Sequence, residues 1–372
     1  MNSATLHIGA IGAGGFGLFA LQQFLQAPGV RLAAIAGTHR EAALAIARRF
    51  GVNDVVETDL LLADPEVDLV YIATPPFLHF SQARAALLAG KHVICEKPLA
   101  MTVAEADELL ELARERDLLC IANLMQRYNP LYEAARGLIE SGVLGECLHG
   151  WFENYASDEG LREDHWFWDR EKSGGIFIEH GVHFFDLFEG WLGTGEVVAA
   201  QRVLRPDSAI EEQVQCTVRY AAGPLVNFYH GFTQPSRLDR QEFRLQFEHG
   251  ELTLEEWVPV RARVRAAVNE EQTRALMEFF PGSRLDVLKI YGGRDRAARG
   301  RFKDIDIFQQ IEIHHALGDD KQRRYCELLR ALFADQLAWM GDRTHVRKIT
   351  EQNGRDSLAM AEAATRLAEA SS

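Results

Sequence analysis

The stretch Gly12-Ala13-Gly14-Gly15-Phe16-Gly17 lies between a short apolar run, Leu6 to Ile11, and a segment that turns helix-like through Leu18 to Gln26. A Gly-x-Gly-x-x-Gly spacing also arises by chance in glycine-containing loops, but between a strand and a helix it has a physical reason. Gly12 permits the tight turn, Gly14 lets the backbone approach a pyrophosphate, and Gly17 allows close packing of helix on strand. The anion then rests at the helix N-terminus. The pattern predicts a dinucleotide site at the start of an alternating βα series.

The alternation continues as that fold requires. Val30 to Ala36 reads as a strand, Val52 to Glu57 as a short strand, and Thr58-Asp59 as the opening of a short helix. Asp68 to Ala73 is a strongly apolar strand that ends in Thr74-Pro75-Pro76, with His79 in the next turn. Phe77 to Ala89 is helical in pattern and ends at Gly90. A further strand, Val93 to Cys95, leads into Glu96-Lys97-Pro98. Thr102 and Glu105 form a capping-box signature for a helix through Arg116, and Leu118 to Leu124 is one more strand. Residues 1–125 therefore read as a doubly wound parallel sheet, with Lys97 just past its fifth strand. Proline cannot donate to a ladder and restricts the residue before it, so Lys97 is expected at a strand's carboxyl end, where open α/β sheets bind ligands. A lysine in such a place is otherwise simply solvated.

The ribose-binding carboxylate of such a site is expected about 20 residues beyond the glycines. Gly37-Thr38-His39-Arg40 occupies that point, and no carboxylate follows until Glu41. A hydroxyl and an arginine suit a 2′-phosphate, so Thr38 and Arg40 favour NADP over NAD. The competing reading is a helix cap at Thr38 and a surface Arg40.

After a helix from Asn129 to Ser141, stopped by Gly142, the pattern changes. Gln213 to Tyr220 alternates apolar and polar residues, Ala221 to Pro224 is a turn, and Leu225 to Phe232 follows. Gln241 to Phe247 and Glu251 to Glu255 flank a turn at His249-Gly250. These are hairpin signals, so residues 126–350 read as an α+β domain. Residues 258–320 carry no clear pattern, and the charged Gly292 to Arg301 stretch reads as an exposed loop. Tyr325 to Met340 and Asp356 to Ala370 read as helices; residues 351–372 are expected to return to the first domain. His314-His315 with Asp319 and Asp320 read as surface, because adjacent histidines point in different directions.

One apolar segment of the second domain carries polar residues at helical spacing: Glu179, His183 and Asp186, at i, i+4 and i+7. One helix would align them on a single face, as a solvated stripe or as an acid–base pair in which Glu179 orients His183.

Composition narrows the classes. The 372 residues are long enough for two domains, and 40 basic against 54 acidic residues give a net charge of -14. That balance argues against a nucleic-acid or anionic-membrane binder. Five scattered cysteines make no Cys-x-x-Cys pair, so a cytoplasmic setting is the expectation. The glycine-broken N-terminal run is a poor signal peptide, and no stretch has the roughly 20 apolar residues of a membrane span.

Together the glycine turn, Glu96-Lys97-Pro98 and a Gly-Gly-x3-acid-x3-His-x2-Asp segment (Gly174 to Asp186) resemble the Gfo/Idh/MocA oxidoreductases, the family of glucose-fructose oxidoreductase and inositol dehydrogenase. Asp68 to Pro76 with His79, Gln126 to Pro130, Gly142 with Gly145, Trp168-Asp169 and Asn353 to Asp356 fit the same family. The resemblance implies a Rossmann domain plus an open mixed sheet, and hydride transfer between NADP or NAD and a secondary alcohol or ketone of a sugar, cyclitol or similar polyol. It implies catalytic roles for Lys97, Glu179 and His183. Cofactor contacts are implied at Gly12, Gly14, Gly15, Phe16, Gly17, Thr38, Arg40, Thr74, Pro75, His79, Glu96 and Lys97. Substrate contacts are implied at Glu179 and His183; Arg127, Arg162 and Trp168 are further candidates for substrate contact, against plain packing or surface roles. No metal is implied, and dimers or tetramers through the open sheet are. The departure is Glu179, where the family usually has aspartate; glutamate reaches about 1.5 Å further. Two rivals share these motifs: a dinucleotide-binding ligand sensor without turnover, and a redox-assisted glycosidase. Retention of both Lys97 and His183 argues against the sensor.

Overall fold

The computed structural model describes residues 5–371 except 13, 38, 39, 53, 54, 159 and 319. The chain forms two compact units. The first holds residues 1–125, 162–186 and 326–365; the second holds 126–161, 187–325 and 366–372.

In the first unit, β1 (Leu6–Ile11), β2 (Val30–Ala36), β3 (Leu69–Ile72), β4 (His92–Cys95) and β5 (Cys120–Ala122) form a sheet of order β2-β1-β3-β4-β5, every pairing parallel. All four residues of β3 are buried, which explains its unbroken apolar run: a parallel sheet covered on both faces has no polar side. Strand order reverses between β1 and β3. The ends of these two strands, Gly12 and Thr74, therefore flank the switch point at which such sheets bind ligands.

Of the expected strand at Val52 to Glu57, Asn53 and Asp54 lie outside the described residues, and the described ones form no ladder strand. An isolated bridge joins Val55 to Ile35, with the Val56 amide 3.0 Å from the Ile35 carbonyl. Among the described residues Lys97 thus follows the fourth strand, not the fifth. The capping box of Thr102 and Glu105 starts the Val103–Glu115 helix as its sequence requires.

The Glu351–Ala370 helix begins five residues before the expected Asp356, because Asn353 Oδ1 accepts from the Thr350 amide at 2.8 Å and organises its first turn. Within this unit the Val103 amide donates to Glu362, and Gly354 lies close enough to Ala122 and Leu99 that a Cβ there would come within 3.1 to 3.3 Å. Phe333, on the Lys321–Gly341 helix, stacks on Phe24 at 4.7 Å.

The second unit is built on β6 (Cys147–Tyr155), β7 (Gly195–Leu204), β8 (Glu211–Tyr220), β9 (Leu225–Gly231), β10 (Arg240–Phe247), β11 (Gly250–Glu255), β12 (Arg261–Val268), β13 (Arg284–Ile290) and β16 (Gln309–Ala316). Their order is β13-β16-β12-β11-β10-β6-β9-β8-β7, and only the β6–β9 pairing among these described strands is parallel. Phe188 packs on this sheet, its ring 5.0 Å from Phe228 and 6.4 Å from Phe243.

The Gly292 to Arg301 stretch is not a plain loop. A 3-10 turn, Gly293–Arg296, leads into β14 (Ala297–Gly300), which pairs with β15 (Lys303–Asp306). Arg301 and Phe302 turn the ribbon in left-handed conformations (φ 50 and 62), and Arg301 is clamped by Glu146 and Glu248. Neither turn residue is the glycine or asparagine that such turns usually show, so the sequence carried no signal for it. His314 faces Glu312 and Asp286, while the His315 ring lies 3.0 Å from Ser283 Oγ; Asp319 lies outside the described residues.

Candidate active site

β1 delivers Gly12 in a left-handed conformation (φ +92), and a Cβ there would meet the Ala73 carbonyl oxygen at 2.5 Å. A Cβ on Gly17 would meet that of Ala73 at 2.4 Å, so both glycines are required for strand and helix to approach. Gly14 and Gly15 face open space before the Gly15–Phe24 helix, and Phe16 is exposed beside them. A shallow cradle of backbone at a helix N-terminus suits a pyrophosphate, so these residues fit a dinucleotide. Thr38 lies outside the described residues. Arg40 opens the Arg40–Arg49 helix, and its side chain is likewise outside them.

The turn after β3 and the turn after β4 lie side by side. Thr74 donates its hydroxyl to Gln82, and Pro75 precedes the 3-10 turn Pro76–Leu78. His79 is wholly buried, its ring held between the Pro98 and Thr74 carbonyls. Its ring nitrogens are therefore turned to the protein backbone. Glu96 is also buried, and its Oε1 accepts from the Tyr71 hydroxyl at 2.5 Å and from Asn123 Nδ2 at 2.8 Å. Burial pushes its carboxyl up, and these donors, with Lys97, pull it back. Tyr71 and Asn123 were not singled out in the sequence. The available signal was a polar group inside or just past an apolar strand.

Lys97 follows with its ammonium 2.7 Å from the Glu179 carbonyl oxygen and 2.5 Å from Glu179 Oε1. The pair is largely shielded, at 18% and 10% side-chain exposure, so it is screened less than a surface pair. Glu179 can offer both acceptors because Phe177–Gly181 is a π-helical turn. This corrects the expectation of one regular helix. The α-helix begins only at Val182 and runs to Leu192, so Glu179, His183 and Asp186 do not form a simple α-helical stripe. Asp186 is fully buried and accepts from Asn353 Nδ2 at 3.1 Å.

His183 is buried, and burial first, then the Lys97 charge, hold its imidazole well below the usual histidine range. It is therefore neutral near pH 7, able to accept a proton. Lys97, Glu179 and His183 come from separate elements of the first unit; Lys97 pairs with Glu179, and its charge reaches His183.

The other expected substrate residues are placed differently. Arg162 is exposed and grips Asp164 through two contacts of 2.9 Å. Trp168 is buried with its ring edge-on to Phe167 at 4.6 Å. Arg127 belongs to the second unit, where its guanidinium lies against Gly190 with the Tyr132 hydroxyl. Among the described residues no group of three or more His, Cys, Asp or Glu could hold a metal ion, and no helix is long and apolar enough to cross a membrane.

Comparison with known proteins adds the lineage. Residues 6–124 match the model of an oxidoreductase family with an NAD-binding Rossmann fold, and residues 132–253 match the GFO/IDH/MocA C-terminal domain. The dTDP-3,4-didehydro-2,6-dideoxy-alpha-D-glucose 3-reductase of Streptomyces violaceoruber is 38% identical over 216 residues, 56% of this chain and 61% of that protein. The 1,5-anhydro-D-fructose reductase of Ensifer adhaerens is 32% identical over 215 residues, 56% of this chain and 64% of that one. The matched segments thus span less than two thirds of these relatives. Levoglucosan dehydrogenase, solved with NADH and L-sorbose, shares the fold at a TM-score of 0.77 and 22% identity, over 100% of this chain and 98% of that one. With both of its family models matched in order along one chain, the protein belongs to the Gfo/Idh/MocA oxidoreductase family.

Proposed function

We propose that this chain is an NAD(P)-dependent dehydrogenase or reductase acting on a CH–OH group of a sugar, cyclitol or similar polyol. The observation that carries the reading is the shielded Lys97 ammonium, held by Glu179 near a neutral His183, in the unit that presents the glycine cradle. The chain's likeness to a 1,5-anhydro-D-fructose reductase and a dTDP-3,4-didehydro-2,6-dideoxy-alpha-D-glucose 3-reductase supports it. Gly12, Gly14, Gly15 and Gly17 would hold the pyrophosphate, and bound nicotinamide would supply the hydride acceptor or donor. His183 takes the hydroxyl proton as an alcohol is oxidised and returns it in reduction. Lys97 positions the reacting oxygen and stabilises its negative charge, more strongly in a dry cleft than in water. Glu179 orients Lys97 through its carboxylate and its own carbonyl oxygen.

NADP is the proposed cofactor, on the hydroxyl and guanidinium of Thr38 and Arg40 and the lack of a carboxylate before Glu41. We assign residues 1–125 to dinucleotide binding, 126–350 to substrate binding and self-association, and a cytoplasmic setting to the whole. Residues 162–186 group by contact with the first unit although they lie within the substrate segment.

The test is cofactor reduction or oxidation with a panel of cyclitols, aldoses, ketoses and nucleotide sugars, using NAD and NADP separately. At least one should turn over. Lys97→Ala should then lower kcat by about 100- to 1,000-fold while NADPH affinity stays within about threefold. A near-normal kcat in that variant, on a substrate the parent accepts, sinks the proposal. Sugar released without net cofactor change would replace it with the glycosidase reading.

A further inference from the structure

His79 opens the His79–Leu88 helix with no part of its side chain in solvent. Its Nδ1 lies 2.6 Å from the Pro98 carbonyl oxygen and its Nε2 2.7 Å from that of Thr74. A carbonyl oxygen only accepts, and a neutral imidazole has a single N–H. In either neutral tautomer one contact would therefore set a nitrogen lone pair against an oxygen lone pair, at hydrogen-bond distance and away from water. Two donors are needed to satisfy both oxygens.

We propose that His79 is a buried imidazolium, and that its two N–H groups make it a positioning residue for Lys97. Thr74 lies in the turn after β3, and Pro98 is bonded directly to Lys97. The ring is thus a two-ended tie between the turn beside the glycine cradle and the turn that carries the ammonium. A carboxamide or hydroxyl side chain cannot replace it, since neither has two donor atoms on opposite sides of a rigid ring.

Two groups charge the surroundings of the ring. Lys97, from the turn after β4, opposes the proton, and Glu179, from the π-helical turn, favours it. Burial, the largest influence, draws the ring below the usual histidine range despite both carbonyl contacts; the imidazolium is inferred from the geometry of those contacts, which only two N–H groups satisfy. The charge state of the ring stands apart from the proposed reaction; only its consequence for Lys97 rests on that reading.

The decisive measurement is nitrogen NMR of the full chain carrying 15N-histidine, with His79→Gln to identify the signals. At about pH 8, where an ordinary histidine is neutral, both His79 nitrogens should be protonated and both ring protons protected from exchange. One protonated and one bare nitrogen overturns the proposal, and this holds whether or not any substrate is known. The positioning role is read from His79→Gln, with His79→Asn as a second variant should the first not fold. In a folded variant kcat should fall about 10- to 100-fold, as displaced catalytic groups do, with NADPH affinity, read by fluorescence, within about threefold. An unchanged kcat, or equal loss in kcat and cofactor affinity, overturns the positioning role and leaves the assignment of Lys97 untouched.

Discussion

β3 buries four consecutive residues, Leu69 to Ile72, whereas β8 buries Val214, Cys216, Val218 and Tyr220 and leaves Gln215 and Arg219 exposed between them. The two sheets thus solve different problems. A parallel sheet covered on both faces has no place for polar chemistry along its strands, so its functional groups must come at the strand ends. Gly12, Thr74, Glu96 with Lys97, and Asn123 each come immediately or one residue after a strand. The nine-stranded sheet alternates, and its second face can carry polar and aromatic side chains along its length. Arg244 lies over Trp151 at 5.1 Å, Arg240 over Tyr155 at 4.7 Å, and Thr217 donates to Asn227 at 2.8 Å. The lesson is that the same apolar content serves a strand-end site in one sheet and a broad patterned face in the other.

Substitutions can press on this contrast. The largest stability effect is expected from Phe188→Ala, which empties the covered face of the second sheet among Phe228, Trp191 and Phe243. It should cost about 3 to 5 kcal/mol in denaturant unfolding. A loss below about 1 kcal/mol would mean that this face is not the packed one.

Acid should act next. Burial holds His230 down to about 3, and His183 is displaced in the same direction. Below about pH 6.5 the unfolded chain takes up protons that the folded chain refuses, so stability falls as pH drops toward the folded values. The slope is about 1.4 kcal/mol per pH unit for each such histidine. His230→Gln should flatten the acid limb relative to the parent, and parallel curves for the two proteins would refute the assignment. The same displacement of His183 places the acid limb of the proposed activity below pH 6.5, rather than at neutrality.

The smallest effect is expected on the alternate face. Gln215→Ala should change unfolding free energy by no more than about 0.5 kcal/mol in the monomer. A larger loss that depends on protein concentration would show that this face is covered by another copy, and would sharpen the contrast between the sheets.

Local chemistry made much of this readable in the sequence. The glycine turn, the capping box at Thr102 and the alternation of β8 each follow from residues within a few positions of one another. The failures share a different cause. Val52 to Glu57 has the composition of a strand, but among its described residues only Val55 finds a bridging partner, in Ile35. The Gly292 to Arg301 stretch has the composition of a loop, yet it is ordered into a ribbon by partners distant in sequence, Glu146 and Glu248. Spacing placed Glu179 on an α-helical stripe, while the π-helical turn re-aimed its carbonyl and carboxylate at Lys97.

Lys97, at the end of a buried parallel strand beside a dinucleotide turn, was determined by the sequence alone, because proline, glycine and apolar runs act through the backbone next to them. Tertiary structure decided what holds that lysine. The Glu179 acceptors lie 82 positions away, and the His79 ring spans two turns that meet only when the sheet is assembled. Hydrogen bonds of this kind depend on ångström-scale approach of distant segments, which local spacing does not encode.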